Sequence, residues 1–400
     1  MPPRHGSAEA DEAEGHISPV KRVAGWLRPA WVEVDLAAVT ANVARICEVV
    51  APAAVCAVVK ADGYGHGAVR VARAAIAGGA RHLGVALAEE GHELRQADID
   101  VPVIVLSEPA PEAMRLVVED NLTPTIYTER GLAALLGALA AQDQGNPVPV
   151  HLKVDTGMHR VGASPAHVLE LASVVAANPL LSFEGLYTHL AVADDPADPY
   201  TQEQLSSFDR VIAALAADGT RPSLLHAANS AGALVHPASR YDMVRPGIAI
   251  YGLAPASSMR DHPAVRPLLP ALSFKAEVSY AKEVAAGEGL SYGLHYRLST
   301  SSVIATVPVG YADGAPRRLS QVGGEVLIGG RRRPIAGSVT MDQILVDCGP
   351  GGGVKSGDEV VLIGRQGDEE VTAWEWGERL GTIAYEVTCA LSPRLPRIYT

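Results

Sequence analysis

The sequence predicts an α/β protein in two parts, a TIM (β/α)8 barrel over residues 28–270 and a β-rich C-terminal domain over residues 271–400. Three observations carry this. Eight short apolar runs recur, at Cys56–Val59, His82–Ala86, Pro102–Leu106, Thr123–Tyr127, Val148–Val154, Glu184–Leu190, Leu224–Ala228 and Met243–Tyr251. Ala- and Leu-rich segments with helical spacing separate most of them, among them Ala68–Ala77, Glu89–Gln96, Arg130–Ala141, Ala166–Ala177 and Gln202–Ala216. Strands alternating with helices in this way argue for a parallel sheet, and eight such units for a closed barrel. From about Ala271 the texture changes to β-type runs, Phe274–Val284, Ser301–Val309, Glu325–Ile328, Gln343–Asp347 and Asp358–Ile363, divided by Gly-rich turns. A doubly wound open sheet is the alternative, but no G-x-G-x-x-G turn follows the first strand.

In chain order, residues 1–27 mix Pro, Gly, Ala and acids without periodicity, the composition of a disordered tail. Trp31–Asp35 alternates like a half-buried strand, and Leu36, Val39, Val43, Ile46 and Val50 then recur at helical spacing. One helix-like segment, Ala373–Thr388, closes the second domain.

Composition excludes several function classes. A net charge of -12 leaves no basic footprint for nucleic acid or an anionic membrane surface. No apolar run reaches the roughly 20 residues of a membrane span, and acids stand where a signal peptide would have its apolar core, so a cytoplasmic protein is expected. Cys47, Cys56, Cys348 and Cys389 are scattered, which suggests neither a disulfide framework nor a metal site.

The chemistry gathers where a barrel would put it, at the C-terminal strand ends. Lys60 ends the first apolar run and is followed by three glycines in seven residues. A strand-end lysine suits Schiff-base chemistry once desolvation lowers its pKa. On spacing alone, a snorkelling rim lysine explains it equally. Lys153 to Arg160 end the fifth run, Thr188-His189 the sixth and Asn229-Ser230 the seventh, while Arg245 to Ile248 lie in or near the eighth. Ser230 and the Gly247-Ile248 amides thus occupy loops where barrels commonly bind phosphate. Singly these are a capping Ser, a turn Gly, a core His and a structural Arg. Together, a lysine able to form an imine, a phosphate cradle and polar groups around a ring point to pyridoxal phosphate.

Five stretches go further: Val58–Gly67, Lys153–Gly162, Arg245–Gly252, Leu290–Gly293 and Met341–Gln343 closely resemble the alanine racemase family, with a match spanning about residues 28–400. The resemblance implies a barrel carrying pyridoxal 5'-phosphate, a C-terminal β-domain, and a head-to-tail homodimer with shared active sites. It implies two-base interconversion of L-alanine and D-alanine, supplying peptidoglycan synthesis. Carried over to matching positions, Lys60 would hold the cofactor covalently, and Tyr292 of the partner subunit would be the second acid/base. Arg245 would face the pyridine nitrogen with His189 behind it. Tyr64, Ser230, the Gly247 and Ile248 amides and Tyr385 would hold the phosphate, and Asn229 would also belong to the cofactor-binding set. Arg160 and the Met341 amide would take the substrate carboxylate, with Tyr311 and Tyr385 near the entrance. Lys153 matches a lysine that some members carbamylate, His159 stands where the family often has Gly, and Asp62-Gly63 replace the usual Asn-Ala. A broader amino-acid or serine racemase shares these motifs. A non-catalytic cofactor-binding barrel would lack the β-domain with Tyr292, and a decarboxylase of similar architecture would lack the Tyr292 and Met341–Gln343 matches.

Overall fold

The computed structural model describes residues 27–141 and 146–400. The tail expected over residues 1–27 therefore lies, apart from Leu27, outside the described residues. Eight strands form one sheet, and every neighbouring pair in it is parallel. In chain order they are Ala54–Val58, His82–Val85, Val103–Val105, Thr123–Ile126, Val148–Lys153, Leu181–Tyr187, Leu224–His226 and Met243–Val244. Met243–Val244 pairs with Ala54–Val58. The Asp242 amide donates to Leu225 O at 3.0 Å and the Arg245 amide to Ala228 O at 2.9 Å, which closes the ring.

The strands are almost wholly buried because helices cover their outer faces, hence the continuous apolar runs. The helix Leu36–Val50 buries Val39, Val43, Ile46 and Val50, the expected stripe, and Asp35 caps it by accepting from the Ala38 amide at 2.8 Å.

The second sheet runs Arg331–Pro334, Glu325–Ile328, Glu359–Gln366, Leu272–Glu277, Ala30–Val34, Arg397–Tyr399. The strand Ala30–Val34, ahead of the barrel in sequence, is thus hydrogen-bonded between two strands of the β-domain. Glu369–Val371 pairs with Glu359–Gln366 off this path, and a three-stranded sheet, Tyr280–Val284, Ser302–Val307 and Ile344–Asp347, and a small hairpin lie beside it.

Four expected elements differ. The run Met243–Tyr251 is strand only to Val244, because Pro246 lacks an N–H for a ladder and Ile248–Tyr251 coil into a 3-10 turn. Phe274–Val284 is two strands that bend apart after Glu277. Ala373–Thr388 is two helices, split at Gly381, whose φ of 74° ends the first in a left-handed cap. The strand expected at Glu184–Leu190 instead spans Leu181–Tyr187. Among the described residues no helix is long and apolar enough to cross a membrane.

Candidate active site

Lys60 follows the first barrel strand and opens a turn in which Ala61, Asp62, Gly63, Tyr64 and Gly65 all have positive φ, between 50° and 82°. For non-glycine residues this backbone costs about 1–2 kcal/mol each, so something must hold it. Glu90 does so from the next unit: one carboxylate oxygen accepts from the Ala61 amide at 2.7 Å, the other from Ala86 at 2.7 Å and Leu87 at 3.2 Å. Asp62 accepts from the Ala68 amide at 2.9 Å, a role its acid serves as well as an Asn would. The turn aims Lys60 into a cavity of about 870 Å³ at the C-terminal mouth of the barrel. Burial first, and then the nearby Arg160, push the Lys60 amine below its ordinary pKa, against the opposing influence of Glu90 and Cys389.

Cations dominate this cavity. Lys60, Lys153, Arg160 and Arg245 line it, against Asp194 and Glu386. Lys153 ends the fifth strand with its Nζ 5.3 Å from the centre of the Tyr187 ring, and burial, helped by Arg245 and Arg160, lowers its pKa to about 7. Arg160 projects from a loop tied down by Asp155, which accepts from the amides of Gly157 at 2.9 Å and His159 at 3.1 Å. His159 has φ of 56°, which explains why a glycine suits that position.

Arg245 is buried and held from several sides. Nη2 donates to Thr188 O at 2.8 Å and Ala227 O at 3.1 Å and lies 3.1 Å from His189 Nδ1, while Nη1 lies 2.8 Å from His226 Nδ1. A guanidinium can only donate, so both imidazoles accept through Nδ1. The His226 hydrogen therefore sits on Nε2 and is given to His151 Nδ1 at 2.9 Å, and His151 Nε2 donates to Glu184 at 3.1 Å. Burial and the Arg245 charge hold His189 and His226 well below the usual histidine range, so both stay neutral.

Ser230, Gly247 and Tyr64 line the same cavity and could together hold an anion. Ser230 Oγ accepts from the amides of Gly247 at 2.9 Å and Ala249 at 3.3 Å, leaving its own hydrogen for a third partner. A Cβ on Gly247 would fall 2.3 Å from Tyr64 Oη, so only glycine lets the tyrosine reach this backbone. Tyr64 packs against the rings of Tyr251 at 5.0 Å and Tyr385 at 6.1 Å. Asn229, Ile248 and Tyr385 also line the cavity, although the Asn229 side chain is occupied as a helix cap to Gly232.

Tyr292, Tyr311 and Met341 are elsewhere. None lines this cavity, and they are 74 %, 43 % and 53 % exposed on the β-domain of the same chain. They are nonetheless together: Ser338 Oγ donates to Tyr292 O at 3.0 Å, and the Tyr311 and Ala312 amides donate to Thr340 O at 3.0 Å and Met341 O at 3.1 Å. Buried Asp313 anchors this group through a two-pronged pair with Arg28 at 2.7 and 2.9 Å. The Tyr292 loop is strained, with positive φ at Ser291, Gly293 and Leu294.

Sequence reasoning passed over Glu90, His226, His151, Glu184 and Tyr187. For His226, His151 and Glu184 the only signal was polarity inside otherwise apolar runs, whereas Glu90 lies in a helix already rich in charge.

A closed parallel barrel whose mouth holds a half-buried lysine and a Ser-Gly-Tyr group able to take an anion fits an enzyme of amine chemistry. The profile of the alanine racemase N-terminal domain matches residues 34–255, and that of the C-terminal domain matches residues 271–399. An alanine racemase from Symbiobacterium thermophilum is 48% identical over 93% of this chain and 97% of its own length. Among solved structures, alanine racemase from E. faecalis superposes with a TM-score of 0.88 at 40% identity, covering 94% of this chain and 100% of its own. The Bacillus anthracis enzyme, described with bound L-Ala-P, gives 0.87 at 38% identity, covering 94% of this chain and 96% of its own. The chain belongs to the alanine racemase family.

Proposed function

We propose that the chain interconverts L-alanine and D-alanine with pyridoxal 5'-phosphate bound at the barrel mouth, in a homodimer whose sites are each completed by the partner subunit. One observation carries this reading: a desolvated lysine, a donor-only arginine and a Ser-Tyr-glycine anion cradle converge on a single cavity. The cradle fits a phosphate, since Ser230 has a hydrogen to give, Tyr64 brings a hydroxyl to the same point and glycine keeps that point open. The surplus of cations suits a phosphate and a substrate carboxylate together. When bound, the cofactor would withdraw electrons from the substrate α-carbon and acidify its hydrogen.

The chain's own residues do the rest. Lys60, whose amine burial holds below its ordinary pKa, moves the α-proton on one face of the substrate plane. Tyr292 of the partner subunit serves the other face, because one side chain cannot reach both. Arg160 orients the carboxylate, joined by the partner's Met341 amide, and Tyr311 of the partner subunit stands with Tyr385 at the entrance. Arg245 is donor-only, so a pyridine nitrogen held against it would stay largely unprotonated, which would favour prompt return of the proton to carbon. A chiral assay of L-alanine with cofactor-loaded protein tests the reading, and an absence of D-alanine would overturn it.

Two further outcomes follow from the cradle and from Lys153. Gly247→Ala should weaken cofactor binding about 10- to 100-fold in equilibrium dialysis, the worth of a charge-assisted hydrogen bond or two. Unchanged affinity would place the phosphate elsewhere. Lys153 is proposed to be carbamylated, since a carbamate would turn its repulsion from Arg245 and Arg160 into attraction. With its pKa near 7, the amine is mostly neutral above that pH and reacts there with carbon dioxide. A ¹³C carbamate signal should therefore build from labelled bicarbonate at about pH 8, fade toward about pH 6 as the amine protonates, and be missing in Lys153→Ala. Its persistence in that variant would rule Lys153 out.

A further inference from the structure

The barrel and the β-domain meet along a second cavity of about 520 Å³, distinct from the mouth of the barrel. Its walls are mainly apolar, with Leu253, Leu268, Ile363 and Trp374 among them. Trp374 is fixed by its indole N–H, which donates to Ala254 O at 3.1 Å. Its volume falls within the range of about 300–1,000 Å³ typical of small-molecule sites.

Two polar features set this seam apart from an ordinary gap between domains. The first is His66, fully buried and lining the cavity. Its Nδ1 lies 3.0 Å from the carbonyl oxygen of Tyr64, which only accepts, so the ring hydrogen sits on Nδ1 and Nε2 is a bare lone pair. No protein group among the described residues reaches Nε2. A buried acceptor left in this way is destabilising, and a donor brought in from outside recovers that loss. Burial also lowers the ring's pKa to about 4, so Nε2 stays an acceptor at neutral pH. The second feature is a set of exposed arginines. Arg260 pairs with Glu378 at 2.9 Å and Arg365 with Glu370 at 3.0 Å, whereas Arg266 has no carboxylate partner among the described residues.

We propose that this seam is a second small-molecule site, for an amphipathic acid with a hydrogen-bond donor at its far end, of which a hydroxyaryl carboxylate is the simplest form. The hydroxyl donates to His66 Nε2 once the ring, 0 % exposed in the unliganded chain, turns toward the cavity, the aryl ring lies among the Leu, Ile and Trp side chains, and the carboxylate meets exposed Arg266. The site does not depend on the reaction proposed above, but it shares a wall with the first cavity. Tyr251 packs on His66 at 4.5 Å from the seam side and on Tyr64 at 5.0 Å from the other, and its hydroxyl donates to Val58 O at 3.0 Å.

The experiment is a ligand-observed NMR titration of full-length, cofactor-loaded protein, held in excess alanine, with 4-hydroxyphenylacetate and phenylacetate as a matched pair. The hydroxy acid should bind saturably and about 10-fold more tightly than its parent, the worth of one hydrogen bond to a buried acceptor. Arg266→Ala should weaken both acids by a similar factor, and raising the alanine concentration should displace neither. Equal affinity of the two acids, indifference to Arg266→Ala, displacement by alanine, or no saturable binding would each overturn the site. His66→Phe should erase the difference between the acids, and where that variant fails to fold, the matched pair in the parent protein still decides.

Discussion

Lys60→Ala protein should lose racemisation in both directions by at least about 10³-fold, since a positioned acid/base alone contributes some 10²–10⁴. It should also lose the borohydride-trapped link between protein and cofactor. The structure sharpens this test, because the cavity holds two amines rather than one. Lys153 is the rival, with a pKa lowered to about 7 and its Nζ over the Tyr187 ring. What separates them is the backbone. Lys60 opens a left-handed turn braced by Glu90, a costly arrangement with no evident packing purpose, whereas Lys153 ends an ordinary parallel strand. Recovery of the trapped link on Lys153 in the Lys60→Ala protein would reverse the roles given to the two residues.

Mixing Lys60→Ala with Tyr292→Phe protein, each nearly inactive alone, should restore about a quarter of wild-type activity after random subunit exchange. Half the dimers are then mixed, and one of their two sites combines an intact Lys60 with an intact Tyr292. The motive is spatial. Tyr292, Tyr311 and Met341 stand exposed on the β-domain, held as a group by Ser338 and by the backbone between 310 and 341, while the barrel mouth of the same chain lacks them. An exposed tyrosine on a strained loop is poorly explained as packing and well explained as half of a site. If Tyr292 served its own chain, every site in the mixture would lack one base. Verified exchange without recovered activity would sink the shared site and leave the family membership untouched.

The sequence by itself determined the architecture that can be computed from local periodicity. Eight apolar runs became eight parallel strands, because strands buried on both faces leave an unbroken hydrophobic record, and the glycines after Lys60 marked the turn that aims it. Where chain chemistry interrupts periodicity, the reading slipped. Pro246 cut the eighth strand to Met243–Val244, and Gly381 split the last helix. Long-range pairing was beyond it. Nothing local in Ala30–Val34 says that this strand joins the β-domain, since alternation reports that one face is buried and not against what. The same limit hid the chain of hydrogen bonds from Arg245 through His226 and His151 to Glu184, whose members are dispersed over about 95 positions of sequence and meet only when the barrel closes. Only the tertiary structure decided that Lys153 faces Arg245 and Arg160, that Glu90 braces the Lys60 turn, and that Tyr292 lies apart from the lysine it is proposed to oppose. Each of these is a relation between surfaces brought together by folding, and burial, charge and reach are properties of that arrangement rather than of the residues one at a time.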